Sequence, residues 1–397
     1  MGFHRFHSPY DWSRIATYKG TAQAVPGGMI DLSVGSPVDP VPQSVQDALA
    51  EASADTNAHG YPATVGTAAL RTALAQWFKQ CRGVPDLQAI DADIVPTVGS
   101  KEAVALMASL LFLGEGDVVV QPRVSYPTYE IGTQLAGAQV LKVDHVADVD
   151  TWRHVPGVKA IWVNSPNNPT GEVLSAEQLT VIIEAARSIG AVVLSDECYA
   201  LMDWNVENQH AMTMGDAPVA SPCALNPAIC KNSAQNVLVL YSLSKQSNMA
   251  GYRTAVIAGD AEIIKTMTQY RKQIGQIIPG PVQAAMAAGL EDVTAVRVQY
   301  ERYRRRLEIL TEALQQYGYE ASMPQGALYV WVPAKTVDCW SDMAELAKLG
   351  ILPSPGEFYG DARYLRFSAT ASDEQIDQAA ERLKGAARQN REARQSH

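Results

Sequence analysis

A run of apolar segments decides the fold: IVPTV (94–98), DVVVQ (117–121), KAIWVN (159–164), AVVLSD (191–196), NVLVLYS (236–242) and TAVIAGD (254–260). Between them lie stretches of helical period, KEAVALMASLLF (101–112), YEIGTQLAGA (129–138) and SAEQLTVIIEAARSIG (175–190). Short runs of Val, Ile and Leu without polar alternation are strands buried on both faces. Strands that alternate with helices build a mainly parallel sheet covered by helices on either side, so the class is α/β. Beyond residue 290 the pattern changes. A long polar helix within VRVQYERYRRRLEILTEALQQYG (296–318) precedes LYVWV (328–332), GILPS (350–354) and RYLRFS (363–368), which together read as a smaller α+β domain. At the other end an irregular arm finishes in DLSVGSPVDPVP (31–42), where prolines at 37, 40 and 42 forbid a regular helix or central strand. The expected organisation is an arm over 1–40 that joins the small domain, a large α/β domain over 41–290 and the small domain over 291–397.

With 397 residues, 47% of them hydrophobic, the chain is large enough for two packed domains. Its 32 Lys+Arg against 42 Asp+Glu are interspersed, which excludes a nucleic-acid partner because phosphate neutralisation needs clustered bases. The nearest to such a cluster is RYRRR (302–306), expected to be a solvated or ion-paired helix face. No stretch approaches the roughly 20 apolar residues of a membrane span, so no membrane partner is expected. The opening MGFHRFHSPYDWSRIATYKG lacks the apolar core of roughly 7–15 residues of an export signal, and a cytoplasmic protein is expected. Five cysteines, at 81, 198, 223, 230 and 339, form no CxxC pair and suit reduced thiols. Cys223 and Cys230 are the only close pair, and with no His at ligand spacing no metal is expected. They fall in a segment without clean period, Trp204 to Gln235, which reads as a long loop, a lid or a solvent-exposed insertion.

Ligands of α/β sheets sit at the carboxyl ends of the strands, and there the sequence places its chemistry. SPNNPTG (165–171) follows KAIWV and by itself would be a Pro/Asn turn. SDECY (195–199) sets Asp196 and Tyr199 three apart, a carboxylate and a phenol able to face one ligand, although a lone Asp there also caps helices. YSLSKQSNMAGYR (241–253) puts Ser242, Ser244 and Lys245 in a turn with Arg253 eight residues on, an amine beside hydroxyls and a guanidinium suited to a phosphate dianion. A turn lysine is ordinarily just solvated. After a wholly apolar strand and near another cation it acquires the lowered pKa that carbonyl chemistry requires. In TVGSKEA (97–103) a glycine joins strand to helix, so the N–H groups of Ser100 and Lys101 point outward at the positive end of the helix dipole.

In this order and spacing the motifs resemble the class I/II aminotransferases of the fold-type-I pyridoxal-phosphate superfamily, from Leu32 to about Arg382. The resemblance implies an enzyme with pyridoxal 5'-phosphate as cofactor. It implies Lys245 as the residue that carries the cofactor and shuttles the proton, and Asp196 as the partner of the ring nitrogen. Tyr199 and Asn168 would bond the ring oxygen, and Tyr126 in SYPTY would stack on the ring. Ser100, Lys101, Ser242, Arg253 and Ser244 would bind the phosphate. Tyr61 in YPATVG resembles the tyrosine that reaches the other subunit's phosphate, implying a homodimer. Arg366 in RYLRFS would fork onto the substrate carboxylate, and Gly35 would close its backbone over it. Two departures stand out. Pro122 lies four residues before Tyr126 rather than two, and Gln246 follows the lysine where a basic residue is frequent.

The wording of LSVGSPVDPVP, SYPTYEIGTQLAGA and SLSKQSNMAGYRTAVIAGD is similar to the actinobacterial-type N-succinyl-LL-2,6-diaminopimelate aminotransferases of lysine biosynthesis. That resemblance implies a second polar cluster for the long substrate, with Gln246, Asn248 and Arg123 as candidates. A general aspartate or aromatic amino-acid aminotransferase, or a carbon–sulfur β-lyase on the same cofactor residues, stays open beside it. A regulatory effector-binding module is disfavoured, since the roughly 30-residue arm leaves no room for a DNA-binding domain.

Overall fold

The computed structural model describes residues 11–395, so the first ten residues of the expected arm and the last two of the chain lie outside it. Its strands are β1 (Ile30–Leu32), β2 (Ala92–Val98), β3 (Val118–Pro122), β4 (Gln139–Val143), β5 (Val158–Asn164), β6 (Val192–Asp196), β7 (Val237–Ser242), β8 (Thr254–Asp260), β9 (Tyr329–Pro333), β10 (Ile351–Pro355) and β11 (Tyr364–Ser368). Seven of them form one sheet in the order β2-β8-β7-β6-β5-β3-β4. Only β8 runs against its neighbours, and the rest share one direction. Alternate residues along the central strands feed two separate cores. Trp162, Leu194, Leu240 and Ile257 pack on one face with Met107 and Met267 from covering helices, while Val163, Val193, Val239 and Val256 pack on the other with Ile182 and Ile183. Burial on both faces is why these strands carry no polar alternation. β4 escapes the sequence pattern for the opposite reason: it is an edge strand, exposed or half-buried until its last residue.

The second sheet has the order β1-β10-β11-β9 and takes in all three segments expected beyond residue 290. Its fourth strand comes from the arm, which also holds the helix Ala16–Gln23, so the arm is not irregular throughout. β1 is three residues long and pairs in parallel with β10, a partner more than 300 residues away, so nothing local announces it.

The segment 204–235 is likewise neither an exposed insertion nor a lid. It holds the helices Val206–Met214 and Pro227–Cys230, and Cys223, Leu225, Ile229 and Cys230 are buried as free thiols and core. Trp204 packs on Tyr300 with ring centroids 4.7 Å apart. A buried ion pair pins the segment. Arg82 donates to Glu197 Oε2 at 2.5 Å and to Ser221 O at 2.7 Å, and Glu197 Oε1 accepts from the Ala224 N–H at 2.8 Å. Long-range polar anchors of this kind leave no hydrophobic period in the sequence.

RYRRR is an ion-paired face. Arg304 pairs with Glu301 and Glu308, and Arg305 with Asp373 and Asp377. Arg306 goes further: its side chain is buried, donating twice to Asp39 and once to Asp373, each at 2.7 Å. Replacing Arg306 with Met should lower stability by about 3–5 kcal/mol, because Asp39 is left buried without its cation. Arg305→Met, at an exposed pair, should cost less than about 1 kcal/mol. Urea unfolding followed by tryptophan fluorescence measures both.

Candidate active site

A cleft of about 560 Å³ opens at the carboxyl ends of the large sheet, with walls from Ser33 to Ser36 and from β9 and β11 of the small one. Twelve of the residues expected on sequence grounds line it: Gly35, Ser100, Lys101, Tyr126 and Asn168; Asp196, Tyr199 and Ser242; and Ser244, Lys245, Arg253 and Arg366.

Asp196 ends β6 and is only 6% exposed. Its Oδ2 accepts from the Tyr129 hydroxyl at 2.7 Å and its Oδ1 from the Cys198 N–H at 3.2 Å. No cation pairs with it among the described residues. Burial accordingly pushes its carboxyl above the ordinary range despite those bonds. Arg366 in β11 is the mirror case: it is 4% exposed and has no carboxylate partner among the described residues. Its guanidinium lies 4.0 Å from the Tyr329 ring centroid and 4.5 Å from that of Tyr359. It donates to Asn168 Oδ1 at 2.8 Å and Ser33 O at 2.7 Å, with Nε left unpartnered. One cleft thus holds a buried anion lacking a cation and a buried cation lacking an anion. A ligand that brings a protonated ring nitrogen to one and a carboxylate to the other would satisfy both.

Lys245 sits on the short helix Leu243–Gln246 after β7 and donates to Gly35 O. Burial, with the positive charges of Arg366 and Arg253 adding to it, lowers its pKa to about 8. Position 35 requires glycine, because a Cβ there would collide with the Tyr329 hydroxyl. The opposite wall suits a phosphate. Gly99, at φ +80°, turns β2 into the helix Ser100–Leu110, whose first N–H groups have no intrahelical partner. A Cβ on Gly99 would lie 2.6 Å from Arg253 Cζ, so only glycine lets the guanidinium approach. Ser242 and Ser244 hydroxyls, 2.7 Å apart, complete the cradle. These groups fit pyridoxal 5'-phosphate: a phosphate cradle, an amine of lowered pKa and a buried carboxylate awaiting a cation.

Three further residues organise the site. Asn164, at the end of β5, donates to Asp196 O at 3.0 Å and accepts from the Asn168 N–H at 2.8 Å, tying the SPNNPTG loop to the neighbouring strand. Its signal was a polar residue closing a wholly apolar strand. Tyr129 bonds Asp196 and stacks on Trp162 at 4.5 Å; it lies three residues after Tyr126 in the same motif. Tyr329 joins its hydroxyl to that of Tyr199 at 2.7 Å, and nothing in LYVWV marks it.

The three candidates for distal contacts are corrected. Gln246 is buried and bonded to the Tyr241 hydroxyl and Gly289 O, Asn248 to Pro40 O and Gln299, and exposed Arg123 pairs with Asp144; none lines the cleft. Tyr61 is fully exposed, away from its own chain's cleft.

A family model described as aminotransferase class I and II matches residues 27–383. Among curated proteins, the 4-dedimethylamino-4-oxo-anhydrotetracycline transaminase of Streptomyces rimosus is 41% identical, covering 94% of this chain and 98% of the relative. An LL-diaminopimelate aminotransferase of Dehalococcoides mccartyi is 30% identical, covering 95% and 96%. Among solved structures, the N-succinyldiaminopimelate aminotransferase of Mycobacterium tuberculosis superposes with a TM-score of 0.80 at 25% identity, covering 95% of this chain and 98% of the other.

Borohydride reduction of the cofactor-loaded protein followed by peptide mapping should place the label on Lys245 and on no other lysine. Only the uncharged amine is a nucleophile. Cofactor capture by the apoprotein should therefore accelerate as pH rises, with a midpoint near 8, rather than about 10.4 as for an ordinary lysine. Stopped-flow absorbance across pH 6.5–10 reads the profile.

Proposed function

The chain belongs to the class I and II aminotransferases, pyridoxal-phosphate enzymes that move an amino group between an amino acid and a 2-oxo acid, and we propose N-succinyl-LL-2,6-diaminopimelate with 2-oxoglutarate as its substrate pair. The observation that carries this reading is charge. Among the described residues lining the cleft, Lys19, Lys101, Lys245, Arg253 and Arg366 face a single acid, Asp196. With Lys101 and Arg253 on the phosphate, Arg366 on the α-carboxylate and Lys245 as the reacting amine, one cation, Lys19, is left over, which supports a substrate with a further carboxylate. The relatives named for diaminopimelate and its succinyl derivative support the same substrate class.

When bound, pyridoxal 5'-phosphate supplies an aldehyde that takes up the amine and a ring that accepts electrons. Asp196 keeps a proton on the ring nitrogen, and its own reluctance to stay charged in a dry site is relieved by that positive charge. Asn168 and Tyr199 hold the ring hydroxyl oxygen, and Tyr126 covers the ring face. Ser100, Lys101, Ser242, Ser244 and Arg253 hold the phosphate. Lys245 would take the proton from the substrate Cα and deliver it to the carbon of the cofactor's former aldehyde, C4′, for which a pKa near the working pH is suited. Arg366, placed by the rings of Tyr329 and Tyr359, grips the α-carboxylate with its fork, while the backbone at Gly35 closes over it. Residues 41–290 form the cofactor domain in this scheme, with 1–40 and 291–397 as its smaller companion, in a cytoplasmic homodimer. The exposure of Tyr61 supports its reaching a second subunit's phosphate.

A second reading comes from the Streptomyces relative, whose name specifies amination of a polycyclic ketone and whose identity to this chain is higher. The deciding measurement is kcat/KM for the succinylated donor, free diaminopimelate, aspartate and an aromatic amino acid, all against 2-oxoglutarate, and for an anhydrotetracycline ketone as acceptor. A preference of at least about tenfold for the succinylated compound, or roughly 1.4 kcal/mol, is expected. A preference for the ketone, for aspartate or for an aromatic donor removes the substrate and leaves the cofactor residues in place. Pyruvate released from cystathionine would instead indicate a β-lyase. Arg366→Lys should weaken amino and keto acids alike, since a point charge replaces a fork. Mixing Lys245→Ala chains with Tyr61→Ala chains should restore activity, because one hybrid site carries neither lesion. No restoration, with a fully active monomer in sedimentation, would remove the dimer.

A further inference from the structure

One cation in the cleft wall has no task in that scheme. Lys19 belongs to the helix Ala16–Gln23, upstream of every motif discussed above. Ile15 and Ala22 are buried there, Tyr18 and Lys19 are half-buried, and the intervening positions are mostly exposed. Residues 15, 18, 19 and 22 make the inward stripe of a helix of period 3.6, so Lys19 occupies a packing position rather than the solvent face. Its ammonium has no hydrogen bond or ion pair among the described residues. A lysine turned toward the cleft without an acid partner among the described residues is a charge placed to meet an anionic ligand.

The helix that carries it is firmly seated. Arg14 pairs with Glu357 at 2.5 Å and lies 4.0 Å over the Trp340 ring, Tyr18 stacks on Trp340 at 5.8 Å, and Trp12 meets Phe358 edge-on at 5.1 Å. Glu357, the acid at this seat, is occupied on both oxygens, by Arg14 and by the Trp340 indole N–H at 2.7 Å. Trp12 and Phe358 also line the cleft. We infer that Lys19 binds a second carboxylate at the far end of the substrate side chain, so that the N-terminal helix forms the wall that selects dicarboxylic substrates. This rests on the aminotransferase reading and on no particular donor. The α-carboxylate goes to Arg366 in every substrate, and Lys19 separates those with a distal acid from those without.

The probes are 2-oxoglutarate and pyruvate, acceptors with and without the distal acid, and glutarate and butyrate as unreactive counterparts. In Lys19→Met the ratio of kcat/KM for 2-oxoglutarate to that for pyruvate should fall about tenfold, mostly through KM. The dissociation constant of glutarate should rise by a similar factor relative to butyrate. Lys19→Arg should recover most of the ratio and Lys19→Glu should lose more than Met. A ratio unchanged within about twofold, a glutamate variant no worse than the methionine one, or equal losses on both acceptors would each overturn the inference. Wild-type enzyme that rejects the succinylated donor while its Lys19→Met ratio still falls would discard that donor and keep Lys19 in this role. Succinylated-donor preference with an unchanged ratio would do the reverse.

Discussion

Holding Asp196 out of water without a cation is unfavourable by several kcal/mol, and much of the large sheet's upper rim is arranged around that cost. The Tyr129 hydroxyl and the Cys198 N–H solvate it, and Asn164 fastens its backbone carbonyl. Behind it the next residue, Glu197, is locked into the buried pair with Arg82 and, through Ala224, to the 204–235 segment. The carboxylate therefore cannot swing away to find water or a lysine. Lys245 is equally confined, bonded to a backbone carbonyl rather than to an acid. The two opposite charges share one cleft without forming an ion pair with each other.

Arg366 shows the same constraint on the other wall. Its two aromatic neighbours come from the small sheet side, whereas Asn168 comes from the loop after β5 and Ser33 from the end of β1. One guanidinium thus bridges the arm, the large sheet and the small sheet. Its orientation therefore depends on the mutual position of all three.

What could be read from the chain alone follows from how far each signal reaches. Central strands were legible because burial on both faces demands unbroken apolar runs, and the strand-end motifs were legible because Lys245, Arg253, Asp196 and Tyr199, all of which line the cleft, each stand within a few residues of a strand they punctuate. β1 and the 204–235 segment were not, since β10 and Arg82 supply their partners from far along the chain. Tyr329 was missed for the same reason: its partners Tyr199 and Arg366 lie on other elements. The error over Gln246 and Asn248 is of another kind. Being close to Lys245 in sequence suggested nearness to substrate, but Gln246, one step round the helical turn and so about 100° away, faces the core, and Asn248, beyond the helix in a left-handed conformation, faces the proline arm.

The single reversed strand has a geometric consequence for the cofactor cradle. In β8 Thr254 pairs with Val98 and Ala255 with Ser242, so the beginning of this strand meets the ends of its two neighbours. Arg253 therefore stands beside Gly99 and Ser242. Had β8 run parallel, its seven residues would have carried Arg253 to the opposite rim, roughly 20 Å away. A parallel return would also have needed a crossover of about a dozen residues or more, whereas the chain passes from Lys245 to Arg253 in eight. Lys245 and Arg253, the amine and the guanidinium of the cleft, are thus joined by a short tether, so the turn that carries the one also fixes the place of the other.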